Sequence, residues 1–282
     1  MHKIAIVGVG TMGGGIGYVT ASAGYPTSLY DPLPEMLDKA RNYHRKLLDR
    51  AVSKEQLTFR DADSYWGRVL YTGTLAAALN GADLILEAVP EKMDLKQEVF
   101  RQIEKLAPSH AILGSNTSSL PITELANAVS DRGRVIGTHF FNPAPVMKLV
   151  EVVVGLDTRQ ETVDTVIQFV KHIGKEAVVV QDRPGFVTTR VGLMLISEAI
   201  FAYQEGLAEK EDLDKAMSLG YNLPMGPLTL ADLVGLDVVL DVLDALFENY
   251  KDPRYRAPIL LRKMVQAGRL GRKSGEGFYQ YT

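Results

Sequence analysis

The stretch Lys3-Ile-Ala-Ile-Val-Gly-Val-Gly-Thr-Met-Gly13 decides the fold of the first half of this chain. An apolar run typical of a buried strand leads directly into spaced glycines and then into a helical pattern. In such a unit the first glycine permits a tight turn, the second lets the backbone approach a pyrophosphate, and the third lets helix and strand pack closely. The helix N-terminus offers unpaired N–H groups to the phosphates. The predicted dinucleotide contacts are Gly8, Gly10, Thr11, Met12 and Gly13.

A carboxylate completes this pattern at the end of the second predicted strand. Asp31 follows Thr27–Tyr30, where a dinucleotide fold is expected to carry an acid that accepts hydrogen bonds from the ribose hydroxyls. The same charge repels a 2′-phosphate, and no Arg or Lys follows before Lys39. The alternative role for Asp31 is that of a turn residue before Pro32. The pattern favours NAD over NADP.

Short apolar runs alternate with helical patterns through the rest of this half, which is typical of a mostly parallel sheet with crossover helices. The predicted strands are Lys3–Val7, Thr27–Tyr30, Leu84–Ala88, Ile112–Gly114, Val135–Phe140, Lys148–Val154 and Ala177–Gln181. Residues 53–72 are polar with scattered aromatic side chains, and we predict the second arm of a helical hairpin there.

The composition changes at Asp182-Arg-Pro-Gly185, beyond which helical periodicity dominates. We therefore predict an α/β fold with a Rossmann-like domain over residues 1–183 and an all-helical domain over residues 184–282. The stretch from Phe186 to Tyr203 is apolar on more than one face. A helix of that kind must be buried on all sides. Because a small domain offers little such burial, we expect a homodimer formed by these helices.

The overall composition limits the classes of partner. With 46% hydrophobic and 23% charged residues and a net charge of -3, the chain is typical of a soluble globular protein without a nucleic-acid or membrane partner. The chain contains no cysteine, which excludes disulfides and thiolate chemistry and fits a reducing compartment. No secretory signal or membrane span is apparent and no metal site is predicted. We expect a cytoplasmic protein.

One histidine and one glutamate are suited to acid–base chemistry. His139 lies near the carboxyl end of a predicted strand, where open α/β sheets bind ligands, and imidazole can take a hydroxyl proton while hydride leaves the same carbon. The turn-forming residues Asn142-Pro-Ala-Pro145 place Glu151 roughly opposite His139. A carboxylate there orients the ring and stabilises the imidazolium. The alternative is a buried histidine with only a structural role.

Three further polar residues have more than one interpretation. Ser118 follows the strand that ends near Gly114, so its hydroxyl suits either substrate binding or the N-cap of a helix after Pro121. Glu91 and Lys96, at a predicted helix start, suit an ordinary solvated face on pattern alone.

Several ordered motifs resemble the 3-hydroxyacyl-CoA dehydrogenase family, and in particular its short bacterial members that act on 3-hydroxybutyryl-CoA. The resemblance runs nearly end to end. The matching stretches are Gly8-Val-Gly-Thr-Met-Gly13, Glu87-Ala-Val-Pro-Glu91, Ser115-Asn-Thr-Ser-Ser119, His139-Phe-Phe-Asn-Pro143, Met147-Lys-Leu-Val-Glu151, Asp182-Arg-Pro-Gly-Phe186, Pro224-Met-Gly-Pro227 and Gly275-Glu-Gly-Phe-Tyr279.

The resemblance implies an enzyme that passes hydride from a 3-hydroxyacyl-CoA to NAD. It implies an NAD-binding domain, a helical domain that dimerises, and a site in the cleft between them. The family's catalytic histidine, its partner glutamate and its substrate-binding serine fall on His139, Glu151 and Ser118. Its NAD contacts fall on Glu91, Lys96 and Asn116.

One position departs from the family pattern. The active-site asparagine that precedes an arginine in the Pro-Gly-Phe segment is Thr189 here. This departure leaves open a related dehydrogenase of a free hydroxy acid, of the sugar-acid or carnitine type. A non-catalytic NAD-binding protein is the third possibility, although such a protein needs neither His139 nor Glu151.

Overall fold

The computed structural model describes residues 1–281, and the chain divides into two compact units, Met1–Arg183 and Pro184–Thr282. The strands of the first unit are β1 Ile4–Val7, β2 Thr27–Tyr30, β3 Val69–Thr72, β4 Leu84–Glu87, β5 Ile112–Ser115, β6 Val135–Phe140, β7 Leu149–Val154 and β8 Glu176–Gln181. Within the described residues they form one sheet in the order β3-β2-β1-β4-β5-β6-β7-β8. The β6–β7 pair is antiparallel and the other pairs are parallel. This mostly parallel sheet is the predicted α/β fold.

Helices cover the sheet. They are α1 Thr11–Ser22, α2 Pro34–Ser53, α3 Phe59–Trp66, α4 Leu75–Leu79, α5 Met93–Leu106, α6 Ile122–Ala126 and α7 Gln160–His172. All residues of the central strands β1 and β4 are buried, as expected for parallel strands covered on both faces. The strand order reverses direction between β1 and β4, and ligands of such sheets bind at the carboxyl ends of the strands beside that point.

The predicted strands are confirmed, with ends that differ by at most one residue. The prediction for residues 53–72 is wrong in its last part. Helix α3 forms the second arm of the hairpin but ends at Trp66, and Val69–Thr72 is the strand β3. These four residues pair in parallel register with β2 at the edge of the sheet. A run of four residues carries too little periodicity to predict a strand whose formation depends on a partner far along the chain.

The second unit is helical. Its helices are α8 Thr188–Gln204, α9 Lys210–Gly220, α10 Pro227–Val234, α11 Leu236–Tyr250 and α12 Ile259–Gln266. Two carboxylates tie its C-terminal segment to the helices: Asp232 accepts the N–H groups of Phe278 and Tyr279 at 2.9 Å, and Asp214 accepts the Tyr279 hydroxyl at 3.0 Å. No helix among the described residues is long and apolar enough to cross a membrane.

Helix α8 differs from the expectation of burial on all sides. Its buried stripe consists of Leu193, Ile196, Ser197 and Ile200, which repeat at helical spacing. Val191 lies on another face and is 64% exposed. The apolar stretch is therefore only partly covered within this chain, and the dimer stays a prediction.

Candidate active site

The glycine loop has the geometry of a dinucleotide cradle. Gly8 has a φ of +90°, and a Cβ there would lie 2.9 Å from the backbone of Ala88. A Cβ on Gly13 would lie 1.8 Å from the Gly8 carbonyl oxygen, so the third glycine is required for α1 to pack on the loop. At Gly10, by contrast, a Cβ would meet no protein atom within 4 Å. The protein's own packing therefore does not require glycine there, whereas a pyrophosphate that approaches the backbone does.

Asp31 joins the end of β2 to this loop. One carboxylate oxygen accepts the N–H of Val9 at 2.9 Å, and the other accepts the N–H of Leu33 at 3.1 Å. The second bond is the turn-forming contact of the alternative interpretation. The first bond ties Asp31 to the loop that would hold the phosphates, and its contact with the ribose hydroxyls stays a prediction.

His139 and Glu151 are direct cross-strand neighbours. The antiparallel register of β6 and β7 pairs these two residues, as the turn at 142–145 predicts. His139 Nδ1 lies 2.8 Å from a carboxylate oxygen of Glu151. Glu151 is fully buried and His139 is 8% exposed. A carboxylate so deeply buried needs a hydrogen-bonded partner, and here the imidazole is one.

A pocket of about 340 Å³ lies over the strand ends, and five of the twelve predicted site residues of the first unit line it. It is lined by Met12, Ala88, Val89, Glu91, Asn116, Ser118, His139, Phe140, Phe141 and Asn142. The Phe141 ring packs against His139 with ring centroids 4.4 Å apart. Helix α1, the segments that follow β4 and β5, and the end of β6 thus contribute to one cavity with the histidine in its wall.

The segment between β5 and α6 is fixed by hydrogen bonds to its neighbours. The Asn116 side-chain oxygen accepts the N–H of Phe140, next to His139, at 3.0 Å. The N–H of Ser118 donates to Glu91 at 2.9 Å.

The N-cap interpretation of Ser118 is wrong, because α6 begins at Ile122 and its first turn has no side-chain cap.

Lys96 does not lie on a solvated face. It is 1% exposed, and its Nζ lies 2.7 Å from Glu87 and 3.2 Å from Glu91. Burial raises the pKa of the Glu87 carboxyl, against the opposing effect of Lys96. Burial also disfavours ionisation of Glu91, but the Lys96 charge and the hydrogen bonds from Thr117 and Ser118 outweigh it and lower the pKa of Glu91.

Glu87 is a site residue that the sequence analysis did not single out. An acid at the end of the apolar run Leu84–Glu87 could have indicated it, because a buried carboxylate needs a partner.

His44 is a second residue that the sequence did not single out. It is fully buried on α2, and its Nε2 lies 2.7 Å from the Gly14 carbonyl oxygen in the first turns of α1. Its Nδ1 lies 2.6 Å from the hydroxyls of Tyr65 and Tyr71. Because a carbonyl can only accept, Nε2 carries the proton, and His44 ties α2 to the helix that follows the glycine loop.

Thr189 belongs to the second unit. It lies in the first turn of α8 and is partly buried. The helix begins just after the Pro184-Gly185-Phe186 stretch, in which Gly185 has a φ of +77° and Phe186 a φ of +46°.

The chain matches models of one family in both of its units. Residues 3–183 match the description "3-hydroxyacyl-CoA dehydrogenase, NAD binding domain", and residues 185–281 match "3-hydroxyacyl-CoA dehydrogenase, C-terminal domain".

Full-length relatives carry the same kind of name. The chain is 46% identical to a probable 3-hydroxybutyryl-CoA dehydrogenase of Bacillus subtilis over 100% of this chain and 98% of the relative. It is 44% identical to a 3-hydroxybutyryl-CoA dehydrogenase of Clostridioides difficile over 99% of both chains. The crystal structure of (S)-3-hydroxybutyryl-CoA dehydrogenase from Ralstonia eutropha superposes with a TM-score of 0.98 at 41% identity, over 100% of this chain and 99% of that one.

Proposed function

The chain belongs to the 3-hydroxyacyl-CoA dehydrogenase family, and from this premise we propose that it reversibly oxidises a short-chain 3-hydroxyacyl-CoA to the 3-ketoacyl-CoA with NAD. The observation that carries the chemistry is the 2.8 Å contact between His139 Nδ1 and the buried Glu151 carboxylate, in the wall of a pocket that begins at the glycine loop.

The residues that would hold NAD are those of the glycine loop and of the adjoining strand ends. The open space at Gly10 suits the pyrophosphate, and Asp31 suits the adenosine ribose. Asn116 and Glu91 line the pocket and are the proposed contacts towards the nicotinamide end. When bound, NAD supplies the hydride acceptor, and hydride transfer to nicotinamide needs no metal.

His139 is the proposed general base of the oxidation. Its Nε2 takes the proton of the substrate hydroxyl, and in the reverse direction it returns that proton to the developing alkoxide. Glu151 accepts a hydrogen bond from Nδ1–H, which fixes the tautomer with Nε2 as the reactive nitrogen, and its charge stabilises the imidazolium. Ser118, in the same pocket, is the proposed donor to the substrate oxygen.

The second unit is the proposed substrate and dimerisation domain. The substrate assignment rests on Thr189, which occupies the position of the family's active-site asparagine. The dimerisation assignment rests on the partly uncovered apolar surface of α8. A cytoplasmic location stays a prediction.

The test of this function is the consumption of NADH with acetoacetyl-CoA, followed beside acetoacetate and a longer 3-ketoacyl-CoA. We expect acetoacetyl-CoA to be reduced far faster than acetoacetate. Faster reduction of the free acid would contradict the proposal and favour the hydroxy-acid dehydrogenases, which is the alternative that Thr189 leaves open.

A further inference from the structure

A buried lysine holds the turn that joins the strands of His139 and Glu151. Lys175 directly precedes β8, is 7% exposed, and does not line the pocket that contains His139. Its Nζ donates to the carbonyl oxygen of Ala144 at 2.6 Å and to that of Met147 at 2.5 Å. Both carbonyls belong to the turn of residues 141–148, so one ammonium group bridges two points of its backbone.

The charge of Lys175 is balanced by these carbonyls and not by an acid. In the part of the chain that the structure describes, no carboxylate forms an ion pair with Lys175, and burial lowers its pKa. A buried charge is costly unless hydrogen bonds satisfy it. An apolar side chain of similar length would avoid that cost but would leave both carbonyls without this donor. The lysine is therefore explained by the turn that it holds.

The same turn packs on α1, the helix that begins at the glycine loop. Ala144 is 3% exposed, and a Cβ on Gly15 would lie 3.1 Å from the Ala144 Cβ and 3.4 Å from Pro145 Cδ. The helix and the turn are therefore in close contact at this point. Ala144 is held twice, through its carbonyl by Lys175 and through its side chain by α1.

The first residues of the turn form part of the pocket wall. Phe141 and Asn142 line the pocket, and the Phe141 ring packs against His139 with ring centroids 4.4 Å apart. Within the turn, the N–H of Met147 donates to the carbonyl oxygen of Pro143 at 3.0 Å. Because this bond joins the two halves of the turn, a displacement of the second half also displaces the residues in the pocket wall.

We propose that Lys175 is a positioning residue of this active site. By holding the 141–148 turn on α1, it keeps Phe141 and Asn142 in the pocket wall. The Phe141 ring then keeps its packing on His139. Lys175 acts through the backbone of the turn. The proposal rests on the proposed function for the reaction that the turn supports, whereas the contacts of Lys175 do not depend on that reaction.

The test compares Lys175→Met and Lys175→Gln with two control variants. Methionine has a similar length but donates no hydrogen bond. Glutamine is the milder change, because its amide still donates from a shorter chain, and it serves as the test if Lys175→Met does not fold. Thr158→Val is the control for lost stability, since it removes a 2.7 Å hydrogen bond to the Val135 carbonyl, at the end of β6 far from His139. Lys171→Met removes an exposed lysine of α7.

The measurements separate position from stability. They are the unfolding midpoint, the NADH affinity, the kcat and KM for acetoacetyl-CoA, and the NMR chemical shift of the His139 ring C–H groups. The His139 signals are assigned by their loss in His139→Gln. An aromatic ring shifts the resonances of nearby protons, so these signals report the position of Phe141. Phe141→Leu gives the chemical shift without that ring.

We expect Lys175→Met to lower kcat about 10- to 100-fold, because displacements of about 1 Å at an active site are this costly. NADH affinity should stay nearly unchanged, since Lys175 does not contact the glycine loop. The His139 signals should move towards their positions in Phe141→Leu. Lys175→Gln should show the same changes to a smaller degree. Thr158→Val should lower only the unfolding midpoint, and Lys171→Met should match wild type.

Wild-type kcat and wild-type His139 signals in the folded Lys175 variants would overturn the proposal, because the lysine would then serve the fold alone. An equal loss of kcat in Thr158→Val would also overturn it, since lost stability would be the cause. Failure of the proposed function has a different signature: the wild type itself would not reduce acetoacetyl-CoA. The His139 signals would still decide whether Lys175 positions the turn.

Discussion

At the scale of single residues, the 2.8 Å contact between His139 and Glu151 couples the orientation of an imidazole to a buried negative charge. Each strand supplies one member, so the spacing of the pair is set by the backbone register of β6 and β7. Such a pair keeps its geometry when the ring gains a proton, because the carboxylate then interacts with a cation. This is the behaviour that a general base needs.

The first prediction concerns this pair. We expect His139→Gln to lower turnover of acetoacetyl-CoA by about 100-fold or more, the usual contribution of general acid–base catalysis, with NADH affinity nearly unchanged. Glu151→Gln should also slow turnover, because an amide stabilises the imidazolium less well. Steady-state NADH consumption and a fluorescence titration with NADH measure the two effects. His110→Gln, an exposed histidine beside Asp83, is the control. A His139→Gln enzyme that turns over normally but binds NADH poorly would refute the assignment.

The second prediction concerns Thr189, where this chain departs from the family pattern. A threonine hydroxyl offers part of the hydrogen bonding of an asparagine amide but is shorter. We expect Thr189→Ala to lose about 1–3 kcal/mol of transition-state stabilisation, the cost of an unpaired polar partner. Thr189→Asn should keep or raise kcat/KM for acetoacetyl-CoA. The opposite result, an inactive Asn variant beside a harmless Ala variant, would mean that Thr189 packs and that the substrate differs from the family's.

At the scale of elements, His44 links the helix after the glycine loop to the hairpin of α2 and α3. The Gly14 carbonyl on α1, the Tyr65 hydroxyl on α3 and the Tyr71 hydroxyl on β3 all lie within hydrogen-bond distance of its ring. The hairpin and the edge strand therefore support the helix whose N-terminus forms the cradle.

The third prediction is a pH dependence of stability caused by His44. Burial lowers the pKa of His44 from 6.5 to about 4. The unfolded chain therefore takes up this proton before the folded chain does, so the contribution to stability is complete above pH 6.5 and is lost as the pH falls towards 4. One pKa unit corresponds to about 1.4 kcal/mol, so the full loss is about 2–4 kcal/mol.

Trp66, the one tryptophan of the sequence, lies in this hairpin and reports its unfolding. Between pH 7 and pH 5, wild type should lose more unfolding free energy than His44→Gln, by about 1–2 kcal/mol. The exposed His172, changed to Gln, should leave the wild-type pH dependence in place. Equal pH dependence in wild type and His44→Gln would rule out this role of His44.

At the scale of the whole molecule, the second unit leaves several large apolar side chains exposed. Exposed side chains on several of its elements are at least 64% accessible. They are Val191, Leu207, Leu219, Tyr221 and Ile259. A contiguous patch of exposed apolar side chains is typical of an interaction site.

The fourth prediction is therefore a homodimer formed by the helices of the second unit. Light scattering at micromolar concentration should give about twice the chain mass of 31.0 kDa. Val191→Lys should shift the population towards monomer, whereas Leu156→Lys, an equally drastic change on an exposed loop of the first unit, should not. A stable wild-type monomer under these conditions would exclude the dimer.

The strands other than β3, the glycine cradle and the pairing of His139 with Glu151 were predictable from the sequence, because each depends on a local pattern. The run at Ile4–Val7 is apolar because both faces of a parallel strand are covered. Gly8 and Gly13 have spacings that a strand–turn–helix unit imposes. The turn at 142–145 sets the register of the two strands that it joins.

The burial of Lys96, the partners of His44 and the existence of β3 were decided only by the tertiary structure. The local sequence pattern predicts a surface lysine at position 96. In the folded protein, β4 and the segment after β5 bury it. The hydrogen bond between His44 and Gly14 and the pairing of β3 with β2 each join residues that lie about thirty to forty positions apart in the chain. The free energy of such contacts depends on which distant groups burial brings together, and no local periodicity encodes that.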